Sequence, residues 1–188
     1  MLWIIIFAAL LAAAAAMSYL SYREVFRAKR KKQEACLSVT KYSDEENAVI
    51  KRLIEEFREI PAEDVYIRSF DGLLLHGMYY HVADNAPLDI QLHGYNGNAF
   101  RDFCGGNKVS REAGRNSLVV EQRAHGLSQG ETITFGIRER RDCLSWVEYA
   151  IGRFGKDVKI TLAGVSMGAA TVLMAISLGL PENVKAII

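Results

Sequence analysis

Cysteine is scarce in this chain, and its placement supports no framework. Cys36, Cys104 and Cys143 are the three thiols in 188 residues, with no C-x-x-C pair and no Cys/His ligand spacing. That argues against a disulfide scaffold and a zinc site and points to reduced thiols in a cytosolic setting. An excess of one charge is lacking too. Lys and Arg number 23 against 22 Asp and Glu, a formal net charge of +1 with a pI near 7.7. So small an imbalance gives no basis for nucleic acid as a partner. Neither G-x-G-x-x-G nor G-x-x-x-x-G-K-[ST] occurs, so the common nucleotide-binding loops are absent. No repeat is present, and the only biased tract is a run of alanines near the N-terminus.

The first feature that is present is that apolar stretch. Met1 to Tyr22 carries no charged side chain, and Trp3, Ile4, Ile5, Ile6, Phe7, Leu10 and Leu11 run into the alanines. About 20 such residues in a helix span roughly 30 Å, the hydrocarbon thickness of a bilayer. Arg23, Arg27, Lys29, Arg30, Lys31 and Lys32 follow immediately. A secretory signal carries its positive charge before the apolar run, so the order here favours an uncleaved anchor over a cleaved signal, the alternative. Positive charge on the cytoplasmic side places the N-terminus outside and the following domain in the cytoplasm. Trp3, Tyr19 and Tyr22 stand where interfacial aromatics are favoured. Residues 1–22 are therefore expected to be a transmembrane anchor in contact with lipid. Residues 23–62 are expected to be a basic juxtamembrane segment with a helix, and 63–188 a folded core.

Ser43 followed by Glu46 has the form of a capping box. Val49, Ile50, Leu53, Ile54 and Phe57 recur behind it at helical spacing, giving an amphipathic helix of about four turns that ends near Pro61. Its polar face mixes both signs, which favours packing on the core over lying on a membrane. Val65 to Phe70 and Leu73 to Tyr80 are β-rich and joined by Asp71-Gly72, a hairpin signal. His76 and His81 fall in that hairpin without metal-site partners. Leu88 to Leu92 is a further strand, and it ends in His93-Gly94-Tyr95. Phe100 to Ala113 reads as a helix interrupted by Gly105-Gly106. Ser117 to Val120 is a strand and Gly136 to Phe154 a helix, in which Cys143 is packed and Arg138, Arg140 and Arg141 form a solvated face. Strands alternate with helices from Pro87 onward, so the fold class is α/β with a mostly parallel sheet and an antiparallel start.

The chemistry concentrates in Gly164-Val165-Ser166-Met167-Gly168. The β-prone run Lys159 to Leu162 precedes it, and the small-residue segment Ala169 to Leu178 follows. A serine between two glycines at a strand-to-helix turn can be held in a strained conformation that projects its hydroxyl. The helix start behind it offers free N–H groups to a developing oxyanion.

The order apolar strand, His93-Gly94, then G-x-S-x-G some seventy residues later resembles the α/β-hydrolase superfamily. The segment Glu121-Gln122-Arg123-Ala124-His125-Gly126-Leu127-Ser128 resembles that family's D-x-R-G-x-G-x-S, with Glu121 for Asp and Ala124 for Gly. The likeness covers roughly residues 63 to 188 and is nearest to membrane-anchored, single-domain bacterial hydrolases. It implies Ser166 as nucleophile, with the backbone N–H groups of Tyr95 and Met167 as the oxyanion hole and His93 and Gly94 as loop supports. It implies no metal and no organic cofactor, and a small-molecule or peptide substrate. His93 precedes the serine, so the resemblance makes it a loop organiser rather than the base, and His125 a loop scaffold. Asp89 departs from the pattern, since a charge is unusual in a buried parallel strand.

In the family the acid and the histidine follow the serine. After Ser166 this chain has only Glu182 and Lys185 as titratable side chains, and no histidine. It stops at Ala186-Ile187-Ile188, in an apolar run that reads as a sixth strand. The expectation is a sheet incomplete at the C-terminus, an inactive fragment of a serine hydrolase acting on an ester or amide carbonyl. The alternative is a non-catalytic, membrane-tethered binding module. Substrate identity and oligomeric state lie beyond the sequence.

Overall fold

A strand covered on both faces can carry no uncompensated polar side chain, and three segments meet that condition. The computed structural model describes residues 1–28 and 43–188. In it β3 (Leu88–Leu92) and β4 (Asn116–Val120) are buried throughout, and β5 (Ile160–Gly164) is buried over its first three residues. They form the middle of a six-stranded sheet with β1 (Glu63–Arg68), β2 (Leu74–Tyr80) and β6 (Val184–Ile187), in the order β1-β2-β4-β3-β5-β6. β1 and β2 form the antiparallel hairpin, with Gly72 at φ +87° in its turn, and β2 is also antiparallel to β4. The pairs β3/β4, β3/β5 and β5/β6 are parallel. The mixed sheet is therefore as the alternation of elements implies.

Side chains alternate across the sheet, and each face takes its own helices. Leu75, Tyr79, Ile90, Leu118 and Val120 pack with Trp146, Val147 and Ala150 of α4 (Glu139–Phe154) and Val172 and Ala175 of α5 (Met167–Ile176). On the other face Met78, Tyr80 and Val119 meet Ile54 and Phe57 of α2 (Asp44–Glu59) and Phe103 and Cys104 of α3 (Ala99–Glu112). Each fully buried Leu, Ile, Val or Phe contributes about 1.5–3 kcal/mol, so the two layers are the main source of stability. The capping box of α2 is formed, with the Glu46 N–H donating to Ser43 Oγ at 3.2 Å and the Ser43 N–H to Glu46 Oε2 at 2.9 Å. Cys143 is fully buried against the sheet, and burial pushes its thiol up to about 12, so it is packed rather than reactive. Cys36 lies outside the described residues, as do Lys29 to Lys32.

Two expectations change. The helix foreseen as broken at Gly105-Gly106 is continuous from Ala99 to Glu112. Two helical glycines cost about 1 kcal/mol each. The Asn98 side chain caps the Phe100 N–H at 2.9 Å, and Phe103, Cys104, Asn107 and Ser110 are buried, which offsets that cost. The helix foreseen from Gly136 starts at Glu139, because Phe135 (φ +51°) and Gly136 (φ +103°) have left-handed backbones. The buried Glu139 carboxylate accepts from the Thr134 N–H (2.8 Å), the Thr134 hydroxyl (2.6 Å) and the Gly136 N–H (2.9 Å), fixing the loop instead.

Asp89 is reconciled with its strand by a partner. Arg115 Nε lies 2.8 Å from Asp89 Oδ1, the Ser110 hydroxyl donates to Oδ2 at 2.7 Å, and Arg115 also reaches Thr161 Oγ1 at 2.6 Å. A buried carboxylate that is paired and fully hydrogen-bonded avoids the cost of an isolated charge.

None of the residues of α1 (Leu2–Phe26) is buried. The helix is long and apolar enough to cross a membrane.

Gly168 is the second residue of α5, and a Cβ there would run into the Leu92 carbonyl. Gly168→Ala is expected to lower stability by about 1–3 kcal/mol. Gly105→Ala, where a Cβ meets nothing within 4 Å, is expected to raise it by about 0.5–1 kcal/mol. Urea unfolding of the two variants measures the contrast.

Candidate active site

β5 ends at Gly164 and α5 starts at Met167, so only two residues turn the chain from strand to helix. Ser166 makes that turn with φ +53° and ψ −112°, a backbone that a non-glycine residue adopts only when its surroundings enforce it. The surroundings do so. The Val165 N–H donates to the Leu92 carbonyl at 3.1 Å, and a Cβ on Gly164 would lie 2.5 Å from the Ala169 nitrogen. The serine side of the turn is exposed, whereas Met167 and Gly168 are buried.

The loop after β3 lies directly against this turn. A Cβ placed on Gly94 would sit 3.4 Å from Ser166 Cβ, so the loop backbone, not a side chain, borders the serine. Asp102 in the first turn of α3 holds the loop by accepting the Gly94 N–H at 2.8 Å, and the Gly97 N–H closes a turn onto the Gly94 carbonyl at 3.0 Å. Among the described residues neither the Tyr95 N–H nor the Met167 N–H is hydrogen-bonded. One unspent backbone donor thus follows the exposed serine in the chain, and the other follows the glycine that borders it. Asp102 was not legible in the sequence, where only its place in a helix's first turn marks it.

His93 is buried and both its nitrogens are used. Nε2 accepts the Gln122 N–H at 3.1 Å, so the proton is on Nδ1, which donates to the Gly94 carbonyl at 2.8 Å. Burial lowers its pKa, consistent with this neutral form. His93 organises the loop and has no free nitrogen for Ser166. The Gln122 amide joins both sides of the site, donating to the His93 carbonyl at 2.5 Å and accepting from the Thr171 hydroxyl at 3.0 Å. His125 packs edge-on to His93 at 4.6 Å between ring centroids, and its Nδ1 donates to the Arg123 carbonyl at 2.9 Å.

Charged groups pin the segment after β4. Arg123 is buried, with Nε 2.6 Å from Asp142 Oδ2 and Nη1 3.0 Å from Asp71 Oδ2. Burial works against its charge, but the two carboxylates outweigh it and hold its pKa above the ordinary value. The Arg123 hydrogen bonds in turn hold the Asp71 carboxyl down at about 2. Ala124, at the position where the resembled motif has glycine, has φ +65° and is fully buried, so it carries the strain a glycine would relieve. Glu121, in place of Asp, accepts the Leu127 N–H at 2.6 Å and bonds His76 Nδ1 at 2.8 Å, while His76 Nε2 meets Asp64 at 2.9 Å. Exposed His81 lies 3.2 Å from the Tyr79 hydroxyl.

The end of α1 reaches the same place, which the sequence did not reveal. The last four carbonyls of a helix lack partners within it. Here the Tyr95 hydroxyl donates to the Val25 carbonyl at 2.8 Å and the Ile133 N–H to the Phe26 carbonyl at 2.7 Å. Arg27 pairs with Thr132 in an antiparallel bridge and its guanidinium reaches Glu131 at 2.6 Å. Phe26 meets Phe135 edge-on at 5.6 Å, and Phe135 stacks on Tyr95 at 4.9 Å.

No protein-family model matches the sequence, and no curated protein matches it. Solved structures do. An esterase of Pyrococcus furiosus matches 65% of this chain and 48% of its own, at 28% identity and a TM-score of 0.57. An α/β hydrolase from a Penicillium species matches 68% and 44%, at 24% identity and a TM-score of 0.58. One from Novosphingobium aromaticivorans matches 67% and 42%, at 23% identity and a TM-score of 0.53. This chain thus spans less than half the length of each of these three structures. It has the fold of the α/β-hydrolase superfamily.

The His76 pairing gives a pH dependence with a defined sign. Burial works against the imidazolium, but Glu121 and Asp64 outweigh it and raise the pKa above 6.5. The stabilisation is therefore complete below pH 6.5 and is lost as pH rises through the folded value. The urea midpoint is expected to fall as pH rises from about 6.5 through the folded value, and His76→Gln to flatten that fall while lowering stability at the acid end. An unchanged slope in the variant would exclude the imidazolium.

Proposed function

We propose that this chain carries the nucleophile half of a serine hydrolase acting on an ester or amide carbonyl, with carboxylic ester hydrolysis the first choice. The observation that carries the reading is Ser166, exposed at φ +53° between two glycines whose Cβ positions are already occupied by backbone. Its Oγ would attack the carbonyl carbon. The free N–H groups of Tyr95 and Met167 would take the tetrahedral oxyanion, at about 3 kcal/mol each. Gly94 leaves room for the substrate carbonyl beside the serine, and His93, Asp102 and Gln122 keep the loop and the helix start in place.

A serine hydroxyl needs a base, and the base an orienting carboxylate. In this superfamily both follow the nucleophile in chain order. Of the residues after Ser166 here, Glu182 is the one carboxylate and none is a histidine. The test therefore uses the protein with whatever sequence follows Ile188. A fluorophosphonate probe is expected to label it, and Ser166→Ala to abolish the label and lower esterase activity by about 10³-fold or more. Labelling that survives the substitution would refute the nucleophile.

We infer further that α1 anchors the protein in a membrane, with the α/β domain on the cytoplasmic side. Its length, its lack of charge before Arg23 and the basic residues behind it support this reading. A reporter fused at the C-terminus is expected to be active only in the cytoplasm. Activity on the outer side would reverse the orientation.

A further inference from the structure

The end of α1 and the rim of the candidate site are one packed unit. Ala28, Tyr95 and Phe135 pack against Ile133, Ala124 and Met167, so Ala28, two residues past the helix, shares an apolar cluster with both residues that carry the free N–H groups. Two of the helix's orphan carbonyls are capped by the domain, one of them by the side chain of Tyr95 itself. The site therefore cannot lie far from wherever α1 ends.

The sequence fixes that depth. The first charge after Met1 is Arg23, and Val25 and Phe26 lie two and three residues beyond it, a rise of about 3–5 Å along the helix. With Met1 to Tyr22 in the hydrocarbon, the Tyr95 hydroxyl that caps Val25 sits among the headgroups. Tyrosine and arginine favour that layer, and the ester carbonyls of membrane lipids lie next to it. The loops on either side of the docking segment carry exposed apolar side chains, Leu127 at 63% and Ile137 at 64% exposure, and Val165 beside the serine is 41% exposed. A site for small water-soluble esters has no use for that placement.

We propose that Ser166 draws its substrate from the leaflet in which α1 ends, and that the substrate is an amphiphilic carboxylic ester whose apolar chain stays in the bilayer. The proposal rests on Ser166 as nucleophile and α1 as anchor. Chemically it is ordinary hydrolysis. The serine oxygen takes the acyl group and the alcohol leaves with the serine proton. Water then cleaves the acyl-serine bond, releases the carboxylic acid and restores the hydroxyl.

The test reconstitutes the full-length protein in phosphatidylcholine vesicles with a fluorogenic long-chain ester lipid. The lipid is placed either in the protein's own vesicles or in separate protein-free ones. Confinement to one bilayer raises the effective concentration, so turnover in the shared bilayer is expected to exceed turnover across vesicles by about tenfold or more. A twenty-residue Gly/Ser insertion after Arg23 leaves Val25 to Ala28 on their partners but adds roughly 25 Å of reach. It is expected to lower shared-bilayer turnover about fivefold or more while hydrolysis of 4-nitrophenyl butyrate stays within about twofold. Equal turnover in the two arrangements, or an insertion that leaves the lipid-to-butyrate ratio unchanged, overturns the proposal. If the insertion variant loses activity on both esters, the native ratio alone decides. Failure of the fluorophosphonate to label Ser166 in the native protein is a separate result, which overturns the nucleophile first and this proposal with it.

Discussion

Most of what positions this site depends on one close approach, that of the first turn of α5 to the end of β3. The Gly168 backbone sits on the Leu92 carbonyl with no space for a side chain, and the Val165 N–H donates to that same carbonyl. Because the helix starts so near the strand end, Ser166 has no conformation open to it but a left-handed one. The loop after β3 is held in turn so near the serine that a Cβ on Gly94 would touch the Ser166 side chain. Strain in the turn is thus maintained by the sheet, whose central strands are the most buried part of the molecule. A site on such a base has little freedom to relax, which is what preorganised donors require.

A second group of constraints is electrostatic. The segment after β4 contains a buried guanidinium, an imidazole between two carboxylates and a left-handed alanine, within six residues of chain or bonded to it. Each group is matched: Arg123 by Asp142 and Asp71, and His76 by Glu121 and Asp64. Pairing of this kind adds little net stability, but loss of one partner leaves a buried charge uncompensated. The segment is therefore held in one conformation by the cost of every other, and it carries the surface on which the end of α1 rests.

The sheet was legible because its strands are short apolar runs bounded by turn residues. The serine turn was legible because two glycines at fixed spacing have a steric cause. The α3 helix was misread at Gly105-Gly106, where burial of Phe103 and Cys104 outweighs two unfavourable local choices. The start of α4 was misread because Phe135 gives no hint that its backbone is left-handed. Asp102, Gln122 and the docking of Val25 and Phe26 could not be found at all. Each depends on a hydrogen bond across many residues to a backbone group that every residue possesses, and so leaves no mark on composition or spacing.

Gln122 shows what such a bond means. Its amide is a dipole with a fixed sense, nitrogen toward the carbonyl of His93 on the strand side and oxygen toward the hydroxyl of Thr171 on the helix. Turned end for end it would set oxygen against oxygen at the strand, and an acid of the same shape could serve only one of its two neighbours. The two halves of the site are thus tied by a directional link that an isostere of the wrong polarity cannot replace. Its chemistry, rather than its bulk, sets how far the loop and the helix can drift apart.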